Sequence, residues 1–141
     1  MGTLGVISLA VVLLVVVAVA LVRRRFDGRV RTATGAQSTL AEVGIVLPSD
    51  RVTVVQFSGQ FCATCPQART LADRVLQDHP DIAQIEVDVA EHPEAVRALD
   101  IRRTPTLLIV DKQGQVVHRA SGMPREAELR QAVSGLTAHN R

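Results

Sequence analysis

A nearly unbroken apolar run opens the chain: Val, Leu, Ile and Ala fill Leu4 to Val22, with only Gly5 and Ser8 between them. As a helix this run is about 28 Å long, enough to cross a bilayer core. Arg31 to Ser38 is small and polar and predicts a flexible spacer that includes Thr34, Gly35 and Ala36. Leu40 to Leu47 fits either a short edge strand or a helical turn, and Pro48-Ser49-Asp50 is a turn. From Arg51 onward, short β-branched runs alternate with segments of helical spacing. Arg51–Phe57 predicts a buried strand. Ala68, Leu71, Ala72, Val75 and Leu76 predict a helix that begins near Ala63 and carries Pro66 in its first turn. Ile82–Val89 predicts a second strand, His92-Pro93 opens a short helix to Leu99, and Thr106–Val110 is a third strand. Asp111 to Gly114 reads as a hairpin turn into a strand at Gln115–Ala120. Pro124 starts a last amphipathic helix, with Ala127, Leu129, Ala132, Val133 and Leu136 facing inward.

The order from residue 51 is β-α-β-α-β-β-α, an α/β fold with a mixed central sheet and helices on both faces. The two helical crossovers imply parallel pairing, and the Gly turn implies one antiparallel hairpin. The chain thus divides into an N-terminal transmembrane anchor (1–22), a basic flank and linker (23–44), one domain (45–137) and a tail (138–141).

The formal net charge is +2, and its source is local: Arg23, Arg24, Arg25, Arg29 and Arg31 follow the apolar run against Asp27 alone. The basic excess is therefore a membrane flank. With no Trp or Tyr and 3 Phe, little is available for base stacking, and no nucleic-acid partner is expected. Ala18-Val19-Ala20 resembles a cleavage site, but no positive charge precedes the run and several Arg follow it. That order favours an uncleaved anchor over a signal peptide. The positive-inside rule then predicts a single-pass protein with Met1 outside and the domain cytoplasmic.

The 2 cysteines, Cys62 and Cys65, fall between the strand at Arg51–Phe57 and the helix that follows. Free N–H groups and the positive dipole end of that helix favour a thiolate there. Cys62, nearer the loop, is the expected nucleophile. Cys65, one turn on, would resolve a mixed disulfide by attacking Cys62. An inert structural disulfide is the plainer alternative, and the strand-to-helix setting favours the reactive reading. Zinc needs about four ligands, and His79, His92, His118 and His139 are not in paired ligand spacing, so no metal is expected.

Phe61-Cys62-Ala63-Thr64-Cys65 after a strand, Glu86-Val87-Asp88-Val89 before His92-Pro93, and Arg103-Thr104-Pro105-Thr106 further on together resemble the thioredoxin family. Asp111 to Gly114, and Gly122 before the last helix, extend the resemblance over about residues 45–137. It implies a thioredoxin-like fold, a cis Thr104–Pro105 bond, and a loop there that faces the cysteines. The backbone of Thr104 would be free to pair with a substrate strand lying across Cys62, with Phe61, Pro105 and Gly122 as further substrate contacts.

Departures from the family pattern bear on the chemistry. Phe61 stands where Trp is common, which keeps an apolar lip and loses an N–H donor. Ala63-Thr64 replaces Gly-Pro, so the redox poise differs. Gln56 occupies the position of a buried Asp that helps deprotonate the second cysteine; either Cys65 relies on solvent or another acid substitutes, and Glu86, on the neighbouring strand, is the candidate. Arg102 and Arg103 beside the proline loop could favour a thiolate and acidic partners.

The resulting expectation is a membrane-tethered thiol–disulfide oxidoreductase that reduces protein disulfides at the cytoplasmic face. It would need no cofactor and would draw electrons from a separate donor such as a thioredoxin reductase. The bilayer is held through residues 4–22. The competing readings are thiol exchange on the outer side, with secreted proteins or apocytochrome c as substrates, and a non-catalytic interaction domain of the same fold.

Overall fold

The computed structural model describes residues 2–33 and 40–139. Thr34, Gly35 and Ala36 of the expected spacer, and Asn140 and Arg141 of the tail, lie outside the described residues. The apolar run forms α1 (Thr3–Phe26), a helix of 24 residues. Its segment Gly5–Arg25 is long and apolar enough to cross a membrane, and none of that segment is buried against the rest of the chain. Arg23, Arg24 and Arg25 fill the last turn, where cations meet the negative end of the helix dipole.

The domain is built on one sheet of strands β1 (Val30–Thr32), β2 (Thr53–Ser58), β3 (Ala83–Asp88), β4 (Thr106–Val110) and β5 (Val116–Ser121), in the order β1-β5-β4-β2-β3. The helices are α2 (Cys65–Leu76), α3 (Pro93–Ala98) and α4 (Glu126–His139). Leu40–Val43 forms a 3₁₀ turn, which decides between the two readings of that segment. This is the thioredoxin-like arrangement, a mixed sheet with helices on both faces.

Side chains alternate across the strands and build a core on each face. Val54, Leu107 and Ile109 point toward α2 and α4, where they meet Ala68, Ala72, Val75, Leu129 and Val133. Val55, Phe57, Leu108 and Val110 point the other way, onto Ala95 and Leu99 of the α3 region and onto Leu40. Within α4, Leu129, Ala132 and Val133 are buried as expected, whereas Ala127 faces solvent.

Two expectations are corrected. Arg31 and Thr32, read as flank and spacer, belong to β1, which pairs antiparallel with β5 through Val30↔Ala120, Arg31↔Arg119 and Thr32↔His118. His118, on β5, therefore lies inside the sheet between β1 and β4. The second crossover is also not parallel: β2 and β3 are parallel, but β4 runs antiparallel to β2. The 6 residues of α3 cover about 9 Å, too little to return the chain along a strand of about 20 Å. It therefore re-enters the sheet from the end it left.

The register aligns Val30, Ala120, Leu107, Gln56 and Glu86 in one row across all strands. The chain enters β1 at the level where β2 is about to run into the cysteine loop.

Candidate active site

β2 ends at Ser58, and the loop that follows turns into α2 at Cys65, with Pro66 in the first turn where a missing N–H costs little. The loop is set by Cys62 N–H donating to the Gly59 carbonyl at 3.0 Å and Cys65 N–H donating to the Cys62 carbonyl at 3.3 Å. Cys62 and Cys65 are joined as a disulfide with their Cα atoms 5.5 Å apart. Cys65 is 4% exposed beneath the first turn of α2, while Cys62 is only half-buried. Phe61 stands out from the loop at 95% exposure, an apolar lip beside Cys62.

The Thr104–Pro105 peptide is cis. Its loop is fixed on both sides of Thr104: Thr106 Oγ1 donates to the Arg103 carbonyl at 2.7 Å, and Gly122 N–H donates to the Pro105 carbonyl at 2.7 Å. Thr104 keeps its own N–H and carbonyl without a partner among the described residues. Its side chain lies next to Gly59, where an added Cβ would come within 3.8 Å of Thr104 Oγ1. Gly59 in turn holds the N–H of Cys62. The proline loop, the cysteine loop and Gly122 thus meet at one end of the sheet. Beside them an open groove of about 390 Å³ is lined by Pro66, Gln67, Thr70, Leu71, Arg74 and Met123.

Gln56 is fully buried under this site. Its Nε2 donates to the Cys65 carbonyl at 3.0 Å, and its Oε1 meets no donor among the described residues. Glu86, the candidate proton acceptor, is on β3 at the sheet edge and is exposed. Its carboxylate accepts from Ser58 Oγ at 2.7 Å and from Arg69 at 3.0 Å. No hydrogen bond joins Glu86 to either cysteine among the described residues. Arg102 and Arg103 are likewise engaged, by Asp100 at 2.8 Å and by Asp27 respectively. Neither is a free cation turned toward the thiols. Among the described residues no cluster of His, Cys, Asp and Glu could hold a metal ion.

The family model for thioredoxin matches residues 37–135. The chain belongs to the thioredoxin family. Among its relatives, thioredoxin H5 of rice (Oryza sativa subsp. japonica) is 33% identical over 66 residues, 47% of this chain and 49% of the rice protein. The thioredoxin of Ophiophagus hannah is 28% identical over 83 residues, 59% of this chain and 77% of that one. The chain therefore spans about half the length of the rice relative. The X-ray structure of Fasciola hepatica thioredoxin superposes with a TM-score of 0.54 at 25% identity, covering 62% of this chain and 83% of that one. A close cysteine pair at the sheet end of a thioredoxin domain fits thiol–disulfide exchange.

Sequence reasoning missed the residues that tie α1 to this domain: Asp27, Gly28, Arg125 and Glu128. A signal was present. Asp27-Gly28 is a turn dipeptide placed directly before the β-branched Val30 and Thr32. The arginines around it read equally well as a lipid flank.

Proposed function

We propose that this protein is a membrane-anchored protein-disulfide reductase whose thioredoxin domain faces the cytoplasm. The observation that carries the reading is the contrast within the cysteine pair. Cys62 is half-exposed on the loop whose Gly59 lies against Thr104, a residue with its own backbone unengaged, and Cys65 is sealed under the first turn of α2. A substrate strand pairing with Thr104 would present its disulfide to Cys62, with Phe61 and Gly122 flanking it.

In the reduced protein the Cys62 thiolate attacks one sulfur of the substrate disulfide. A Cys62–substrate bond forms, the substrate S–S bond breaks, and the second substrate sulfur leaves as a thiolate. With Gln56 an amide and Glu86 occupied by Ser58 and Arg69, that departing thiolate is the base at hand for the Cys65 proton. Cys65 then attacks Cys62, releases the first substrate sulfur and leaves the Cys62–Cys65 disulfide seen here. Two electrons have moved to the substrate. A separate dithiol donor, of the kind a thioredoxin reductase supplies, returns them.

The exposed apolar surface of α1, followed by Arg23, Arg24, Arg25, Arg29 and Arg31, supports the anchor and its orientation. The test is insulin reduction by the detergent-solubilised full chain, joined to protease accessibility in intact cells. Activity lost in Cys62→Ser, with a domain protected until the cells are opened, is the expected result. A domain cleaved in intact cells would move the same chemistry to the outer face. Equal insulin reduction by wild type and Cys62→Ser would end the catalytic reading.

A further inference from the structure

The helix that leaves the bilayer is not joined to the domain by slack chain. Only Asp27, Gly28 and Arg29 separate α1 from β1, and several hydrogen bonds and an ion pair fix that passage to the domain. The Asp27 carboxylate accepts from the guanidinium of Arg103, the neighbour of Thr104. Gly28 N–H donates to the Ser121 carbonyl at 2.7 Å, and Arg125 N–H donates to the Gly28 carbonyl at 3.3 Å. Arg125 also reaches the Arg25 carbonyl at 3.4 Å, and Val30 N–H donates to Glu128 at 2.8 Å. Gly28 lies so close that an added Cβ would sit 1.8 Å from the Met123 carbonyl oxygen. Arg103 precedes the cis Thr104–Pro105 bond, and Ser121 and Met123 flank Gly122, whose N–H binds the Pro105 carbonyl; Arg125 and Glu128 sit at the start of α4.

The register places this junction at the catalytic end of the sheet. Val30, Ala120, Leu107 and Gln56 share a row, and three interstrand steps from the first to the last are about 14 Å. Asp27, at most about 7 Å along the chain from Arg25, already touches the proline loop.

We propose that this junction is a bracket that holds the Cys62–Pro105 face at the lipid surface, so that the disulfides exchanged are those of membrane-embedded proteins, in loops next to the headgroups. This rests on the anchored thiol-exchange reading above and adds the class of substrate to it. With Arg25 at headgroup level, the space in front of Cys62 is bounded by lipid. An ordinary soluble domain, with a radius of gyration of about 13 Å, has no room to approach from that side. A loop emerging from the same bilayer does, and the exposed Phe61 and Met123 give it an apolar rim to lie against.

The experiment uses pre-reduced full-length protein in vesicles of phosphatidylcholine and phosphatidylglycerol, in single turnover. It is reconstituted with a single-span peptide whose disulfide loop either follows the span directly or stands on a helical spacer of about 60 Å. Reduction of the near loop is expected to be at least about tenfold faster. Inserting a flexible Gly-Ser segment of about 20 residues between Phe26 and Asp27, with a reach of about 25 Å, is expected to bring the two rates within about twofold of each other. Equal rates on both peptides with the native junction would overturn the bracket, as would a near-loop preference that survives the insertion. Two controls report on the underlying reading by itself. A chain that in detergent exchanges with no small disulfide such as cystine, or one released from membranes by alkaline carbonate, would strike the function proposed above and the bracket with it.

Discussion

Gln56 and Cys65 are bound side chain to backbone: the amide Nε2 donates to the carbonyl of Cys65 at 3.0 Å, from a fully buried position under α2. The amide holds the first turn in place but takes no proton from the sulfur. A carboxylate at the same place would accept one. Gln56→Asp is therefore expected to speed resolution of the mixed disulfide at least about tenfold at pH 7. It should also lower stability by about 1–3 kcal/mol, since the Cys65 carbonyl loses its donor. Stopped-flow decay of a labelled mixed disulfide, with a denaturant titration, checks both. An unchanged rate would show that deprotonation of Cys65 does not limit the step.

Glu86 offers the opposite expectation. Its carboxylate is taken by Ser58 and Arg69, with side-chain exposures of 38% for Glu86 and 61% for Arg69. Glu86→Gln should leave the resolving rate within about twofold and cost at most about 1 kcal/mol, as exposed ion pairs do. A large fall in rate would restore Glu86 as the proton acceptor.

Cys65→Ser leaves Cys62 able to attack and removes the group that resolves. The variant is expected to accumulate a covalent Cys62–substrate adduct that dissolves in reductant, visible as a mass increase on non-reducing gels. Cys62→Ser should give none. An adduct in Cys62→Ser and none in Cys65→Ser would move the attack to Cys65.

Gly28 and Gly44 both have positive φ, +71° and +79°, yet only Gly28 has neighbours that an added Cβ would strike. Gly44→Ala should cost about 1–2 kcal/mol for the left-handed backbone alone. Gly28→Ala adds a backbone collision with Met123 and should cost clearly more. Thermal unfolding of the two variants in detergent compares them directly. Equal losses would mean that the contact at Met123 carries no load.

His118 is half-buried on β5 between Thr32 and Ile109, and burial lowers its pKa from the ordinary 6.5. The folded chain thus favours the neutral ring, while the unfolded chain binds a proton below about 6.5. In the window between that value and the lower folded one, the unfolded state holds more protons, so stability rises with pH. As pH falls from 7 through this window, the urea midpoint should drop, then level off for this group. The drop should be smaller in His118→Gln; an identical profile in both proteins would assign it to other groups.

Much of the domain was legible from residue 51 onward because each element there carries its own repeating signal. Val54, Val55 and Phe57, or Leu107, Leu108 and Ile109, are buried on both faces of the sheet and read as strands without help. Ala68, Ala72 and Val75 repeat at helical spacing for the same reason. The cysteine loop was legible because strand, loop and helix lie consecutively in the chain. β1 was not. Its Arg31 and Thr32 are exposed and Val30 is only partly buried, so three residues carry no readable burial pattern, and their partner strand lies at Ala120 and His118, far along the chain. The antiparallel return of β4 was hidden too, since it depends on how short α3 is in space. Glu86 shows the limit at the site itself. Its strand was right, but its oxygens were claimed by Ser58 and by Arg69, from a helix whose facing residues spacing alone does not reveal.

The turn between β4 and β5 is at the end of the sheet opposite the one where the anchor comes in. Asp111 Oδ1 accepts from the N–H groups of Gln113 and Gln115 at 3.0 Å and 2.8 Å, and Gly114 completes the turn at φ +80°. Lys112 and Gln113, exposed at its tip, are therefore the natural graft site for a fluorophore or an affinity handle. A label there would report on the protein in living cells from the side opposite its sulfurs.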